Sequence, residues 1–325
     1  MRGKIHVLPS MPSSPASSSP PRIKFWGTRG SIAVPGPATL RYGGNTTCVE
    51  LRADGEIIVL DAGSGIRPLG IALQTEFQTQ PINLSLLITH AHWDHIQGFP
   101  FFKPAYDSKN TISIIGCDGA GASFRQIMAE PMKVPFFPIT MRELSAKMDI
   151  RKLSEMKFFI GKVEIHAAFV NHPGVCVGYR IFTSGGSVAF LPDHEPYEFF
   201  LHSARGKQLS EEQAQEIAAD EHARLVQFLR GSDVLILDSQ YTDQEYKNHI
   251  GWGHGSISSV VSLALDAKVQ TLVLFHHDPS HDDKMVDTMV ESARELVAKS
   301  GKPLEVAGAQ QGTEILLEAK KIVAA

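Results

Sequence analysis

Thr89-His-Ala-His-Trp-Asp-His-Ile-Gln-Gly98 follows directly on the apolar run Leu84-Ser-Leu-Leu-Ile88. His90, His92, Asp94 and His95 therefore fall within six positions at the end of what reads as a buried strand. Imidazole is the commonest protein ligand for zinc-like ions, and a carboxylate adds a hard oxygen donor. With so little chain between donors, the stretch does not suit one closed tetrahedral ion. It fits two ions sharing one strand end.

Two ions need donors from elsewhere, and other strand ends are where loops converge. His172 follows Ile165-His-Ala-Ala-Phe-Val170, in Asn171-His172-Pro-Gly174. Asp193 closes a strand in Leu191-Pro-Asp193-His, and His276 follows Leu272-Val-Leu-Phe275. His276 and His277 are adjacent, and strand alternation puts them on opposite sides. The residues alone leave the choice between the two open. His166 lies mid-strand and reads as structural, while His194 and Glu195 read as surface groups or as partners of ligands. His202, His222 and His249 have no ligand context.

Around these donors the element pattern is β-rich. Strands are expected at 23–26, 46–52, 56–60, 83–89, 111–117 and 162–170. A hairpin, 177–182 with 187–191, turns at Thr183-Ser-Gly-Gly186. Further strands are expected at 233–237, 271–275, 303–307 and 313–318. Helices are expected at 66–76, at 208–229 behind the cap Ser210-Glu-Glu-Gln, at 256–267, and at 282–299 with Gly301-Lys-Pro as the stop. Strands outnumber helices and several are followed by helices, which suits an α/β class with sheets packed face to face and admits several folds.

His90-Ala-His92-Trp-Asp94-His95 resembles the signature of the metallo-β-lactamase-fold hydrolases. The resemblance reaches from about residue 23 to 280 and implies a four-layer αββα sandwich. It implies that His90, His92 and His172 hold one ion and that Asp94, His95 and His276 hold the other, with Asp193 bridging. It implies His276 over His277 by its distance from the strand. Asp61, at the end of an early strand, would orient a histidine. Pro192-Asp193-His194-Glu195 departs from the Gly-Asp-Thr that the family often has at the bridge. Zinc is the expected divalent ion, with manganese or iron as alternatives.

Two such ions lower the pKa of a bridging water and clamp the oxygens of an in-line displacement. Asp238-Ser-Gln-Tyr241 and Gly253-His254-Gly-Ser256, before the strand into His276, are similar in order and spacing to the phosphodiesterase branch containing tRNase Z. That similarity implies His254 as the acid for the leaving oxygen and Asp238 as its orienting partner, where the family usually has glutamate. Asp94, His254 and Asp238 are thus the expected catalytic residues; the bland alternative is that His254 caps the helix near Ser256. Gly27-Thr-Arg-Gly-Ser31 and Gly43-Gly-Asn-Thr-Thr47 look like those of small-substrate relatives, including cyclic phosphodiesterases. Arg29 is a candidate phosphate contact, and His281 a weaker one. The 196–230 stretch reads as an acidic helical insertion, and no Gly/Pro-rich tRNA-gripping arm is evident.

The expectation is a dinuclear phosphodiesterase acting on a cyclic nucleotide or related cyclic phosphate through a metal-bridging hydroxide. Its rivals are an RNA-processing nuclease of the same branch, a hydrolase of an ester, lactone or lactam, and a metal-containing nucleotide-binding regulator. A homodimer is expected from the resemblance alone. The net charge of -4 and pI near 6.4 advertise no basic field for duplex nucleic acid. The cysteines Cys48, Cys117 and Cys176 show no CxxC spacing and read as thiols in a reducing compartment. No apolar run reaches the ~18–20 residues of a membrane span. Residues 1–21, rich in Ser and Pro, read as a disordered tail without a secretory apolar core, with Met11 a possible second start. A cytoplasmic protein with one hydrolase domain over 22–325 is expected.

Overall fold

The computed structural model describes residues 19–119, 121–197 and 208–318. The tail expected at 1–21 falls almost wholly outside the described residues, as do His202 and part of the expected 196–230 insertion. The first half of the chain forms β1 (Arg22–Gly27), β2 (Cys48–Ala53), β3 (Glu56–Leu60), α1 (Ile66–Phe77), β4 (Asn83–Leu87), α2 (Trp93–Ile96), β5 (Thr111–Gly116), α3 (Phe124–Ala129) and β6 (Lys147–Lys152). The second half forms β7 (Lys157–Ile160), β8 (Val163–Phe169), β9 (Val177–Thr183), β10 (Gly186–Leu191), α4 (Glu211–Leu229), β11 (Val234–Asp238), α5 (Asp243–Tyr246), α6 (Ile257–Asp266), β12 (Thr271–Phe275), α7 (Asp283–Ser300) and β13 (Glu305–Gly308). β14 (Glu314–Leu316) then returns to the first half.

The strands make two seven-stranded sheets, ordered β14-β1-β2-β3-β4-β5-β6 and β13-β12-β11-β10-β9-β8-β7. Alternation along the strands builds three apolar layers. In β3, Ile58 and Leu60 enter the core between the sheets, while Ile57 and Val59 face outward under α1 and α3. In β12, Val273 and Phe275 point to the same central core, and Leu272 and Leu274 lie under α6 and α7. Both faces of such strands are buried, so they read as unbroken apolar runs. The result is the αββα sandwich.

The site is placed by polarity. β3-β4-β5-β6 run parallel, and so do β10-β11-β12-β13. Their carboxyl ends open on one edge, where ligands bind in open α/β sheets. The sheets are stitched there. The Val177 N–H donates to Thr89 O at 3.1 Å, and Tyr179 Oη donates to Ile88 O at 2.9 Å.

Candidate metal centre

His90, His92, Asp94 and His95 occupy the turn after β4 and the short α2. His172 lies between β8 and β9, Asp193 after β10, and His276 after β12. The structure brings all seven expected donors together. His90, His92, His172 and Asp193 form one group with ligand atoms within 4.8 Å of one another, and Asp94, His95 and His276 form a second. Asp193 faces both. Its Oδ2 lies 3.6 Å from His90 Nε2 and 3.5 Å from His172 Nε2, while Oδ1 lies 3.0 Å from His95 Nε2 and 3.3 Å from His276 Nε2. Donors about 2.1 Å from a tetrahedral ion sit roughly 3.4 Å apart, so these spacings suit shared ions.

Tautomers agree with that fit. His95 Nδ1 donates to Asp61 Oδ2 at 2.8 Å, His172 Nδ1 to Gly253 O at 2.8 Å, and His276 Nδ1 to Gln240 Oε1 at 2.9 Å. His90 Nδ1 donates to Thr89 Oγ1 at 3.1 Å, and that hydroxyl itself donates to Asp61 at 2.9 Å. Each of these rings therefore turns an Nε2 lone pair inward, the arrangement that metal-binding histidines use. His90 Nε2, His95 Nε2 and Asp193 Oδ1 are buried with no hydrogen-bond partner. Buried polar atoms are rarely left so, and converging lone pairs need a cation. The donor set fits two divalent ions.

The electrostatics follow from burial and proximity. Burial pushes His172 down to about 4, against the pull of Asp193, so its ring is neutral near pH 7. Burial opposes charge on Asp193, yet His276, His95, His90 and His172 hold its carboxyl well below the usual range. Asp94 behaves alike, held low by His95 and His276 against its own burial. The Ser31 N–H donates to Asp94 Oδ2 at 2.7 Å. Asp61 and His276 adopt left-handed backbone, φ 60° each, directly after β3 and β12. Such non-glycine strain, about 1–3 kcal/mol each, gathers where side chains must be aimed.

His254 sits against this cluster. Its Nδ1 donates to Asp238 Oδ2 at 2.8 Å, and it groups with Asp193 and His276. Burial lowers its pKa, but the charge and hydrogen bond of Asp238 override that and raise it to about 9. Helix α6 is capped by Ser256, so His254 is not the cap. His276 is the inward histidine; His277 Nε2 donates away, to Ala309 O at 3.0 Å.

Two expected substrate contacts are placed elsewhere. Arg29 is wholly buried, and its guanidinium donates to Gly43 O at 2.8 Å, Asp278 O at 3.0 Å and His281 O at 2.6 Å. It braces loops and is not open to a phosphate. His281 is buried too, with Nε2 on Glu245 Oε1 at 2.9 Å. Glu195, read as a surface group or a partner of ligands, is buried. Gln240, Thr89 and the Gly253 carbonyl, which orient ligands, were not anticipated. Gln240, two residues past Asp238 at the same strand end, was the one with a positional signal. A cavity of about 450 Å³ lies behind the site, under α4 and α6, lined by His194, Leu237 and Gly255 among others. It is not the metal cleft.

The sequence of the chain is similar to a Ribonuclease Z of Haloarcula marismortui, 24% identical over 84% of this chain and 91% of that protein. Its structure is similar to the metallo-beta-lactamase fold protein YhfI of Bacillus subtilis, at TM-score 0.63 and 17% identity over 92% of this chain and 99% of that one. It is also similar to a diphosphatase from the PhnP family, at TM-score 0.62 and 16% identity over 92% and 98%. Residues 57–277, which hold all seven candidate metal ligands, match the model of the beta-lactamase superfamily domain. The chain belongs to that superfamily and is a metal-dependent hydrolase with the metallo-β-lactamase fold.

Proposed function

We propose that this metal-dependent phosphoesterase cleaves small phosphodiesters, a cyclic nucleotide or related cyclic phosphate, with His254 as the acid for the departing oxygen. The observation that carries the reading is the His254–Asp238 pair set against a carboxylate whose two oxygens face separate donor groups. When bound, two divalent ions, zinc by the histidine content, supply an activated water and a clamp on the phosphate oxygens. Asp193 holds the two donor groups together. Asp238 accepts from Nδ1 of His254 and holds the ring as imidazolium near pH 7, so the second proton, on Nε2, is the one given to the departing oxygen. An alkoxide is a poor leaving group, and a positioned acid that protonates it contributes typically 10²–10⁴-fold. An ester, lactone or lactam with an easier departure has less need of this pair.

Exposed aromatic rings support a nucleotide. Trp93 and Trp252 are 57% and 61% exposed. Trp93 follows ligand His92, and Trp252 precedes Gly253, whose carbonyl receives His172. Rings of that kind stack on bases. The acidic net charge, -4, and the burial of Arg29 favour a small anion over a long RNA. The similarity to Ribonuclease Z favours the second reading, an RNA-processing endonuclease. The test is turnover by zinc-loaded protein of cyclic mononucleotides, bis(p-nitrophenyl) phosphate, precursor tRNA and a lactone. Cyclic mononucleotide cleavage is expected, and cleavage of precursor tRNA alone rejects the first reading.

A further inference from the structure

We infer that Glu195 is a positioning residue that sets the angle of both His172 and His254 by gripping the loop between α5 and α6. The assignment rests on the acid role given to His254 above. Glu195 lies two positions past Asp193 and is 6% exposed. A buried carboxylate needs donors to offset lost hydration. Tyr246 Oη donates to its Oε1 at 2.8 Å, and the Gly251 N–H to the same oxygen at 2.5 Å. The Gly253 N–H donates to Oε2 at 3.1 Å. Two backbone N–H groups converging on one anion form the concavity that successive peptide donors make when glycines turn left-handed. Gly251 and Gly253 do so, with φ 89° and 93°.

The consequences reach the site by two short routes. Gly253 turns its N–H to Glu195 and its carbonyl to His172 Nδ1. The next residue is His254. On the other side, the Glu195 N–H donates to Asn171 O at 2.8 Å, and Asn171 Nδ2 returns to Glu195 O at 3.0 Å, which holds the residue before His172. Glu195 thus couples a donor of the first group to the acid. Gly253 has no room for another residue type: a Cβ there would meet His172 Nδ1 at 2.3 Å. The loop is also tied at its ends, by Tyr241 N–H on Gly255 O and Trp252 N–H on His249 O, but Glu195 grips the two glycines next to His172 and His254, so a shift there moves both imidazoles.

Glu195→Gln keeps the volume but presents an amide N–H to a backbone N–H. In the zinc-loaded full chain it is expected to lower kcat/KM about 100-fold on a cyclic mononucleotide, whose leaving oxygen needs an acid. On bis(p-nitrophenyl) phosphate, whose aryl oxygen departs unaided, the loss is expected to be several-fold. His254→Ala should show the same imbalance, and the double variant little more. The second readout is the downfield proton resonance of His254 Nδ1–H on Asp238, expected in the wild type and lost or moved in Glu195→Gln. A variant with the wild-type substrate ratio and an unmoved resonance overturns the assignment, as do equal losses on both substrates with that resonance unmoved. If His254→Ala leaves the ratio alone, or the wild type ignores the cyclic nucleotide, the functional reading falls, and the resonance alone decides for Glu195. Should Glu195→Gln fail to fold, Glu195→Asp, one methylene shorter, takes its place in both measurements.

Discussion

At the scale of the residue, the centre depends on what stands behind each imidazole. Asp61 makes the point. It accepts from His95 Nδ1, from the Thr89 N–H at 2.8 Å and from Thr89 Oγ1, which in turn receives His90. One carboxylate therefore aims a donor of each group. Removing a partner behind a metal ligand typically lowers affinity 10–100-fold. Asp61→Ala is expected to weaken zinc binding by at least that range, read by competition with a chromogenic chelator. Gln240→Ala, which frees only His276, should fall at its lower end. Wild-type affinity in both variants would show that ligand aiming contributes nothing.

At the scale of the element, strands deliver the donors and glycines let them meet. Gly253→Ala is expected to displace His172 and to lower zinc binding at one of two sites, because its Cβ would lie 2.3 Å from that ring. Counting zinc per chain checks this: near one is expected, and two would contradict it. In the central core, Ile236→Ala in β11 empties a fully buried position between the sheets. It should destabilise by about 2–5 kcal/mol in urea unfolding. The strands that deliver donors were legible because their two buried faces spell apolar runs such as Leu84-Ser-Leu-Leu-Ile88 and Thr271-Leu-Val-Leu-Phe275. β6 was not legible: Lys147-Met-Asp-Ile-Arg-Lys152 is an edge strand with four of its six residues charged and only Ile150 buried. β7 shares that position on the other sheet. The metal donors announced themselves by residue type, whereas their supports did not. A glutamine, a threonine hydroxyl and a glycine carbonyl are ordinary residues until the chain folds them against a ring. Arg29 misled for the opposite reason: a loop arginine looks free, and only packing shows three carbonyls around it.

At the scale of the whole molecule, stability is linked to protons and to metal. His277 and His194 are both pushed down to about 3, by burial first. Unfolded, each titrates near ~6.5, so the unfolded chain takes up protons first. Their contribution is complete above about pH 6.5 and is lost as pH falls toward 3, by up to about 1.4 kcal/mol per pH unit for each group. Urea midpoints of metal-free protein between pH 8 and 5 should fall accordingly. His277→Gln, which can still donate to Ala309 O, should flatten that slope; an unchanged slope refutes it. Chelation should lower Tm as well, since ligand at about 1,000 times its Kd adds roughly 4 kcal/mol.

The donors also come from opposite sides of the sandwich. His90 and His92 arrive from the amino-terminal sheet and meet His172 and Asp193 from the other; Asp94 and His95 meet His276 in the same way. A cation bound by either group would therefore be a rivet driven through the seam of the protein. Neither half can own a complete coordination sphere, so tight metal uptake marks the moment when the two sheets have docked.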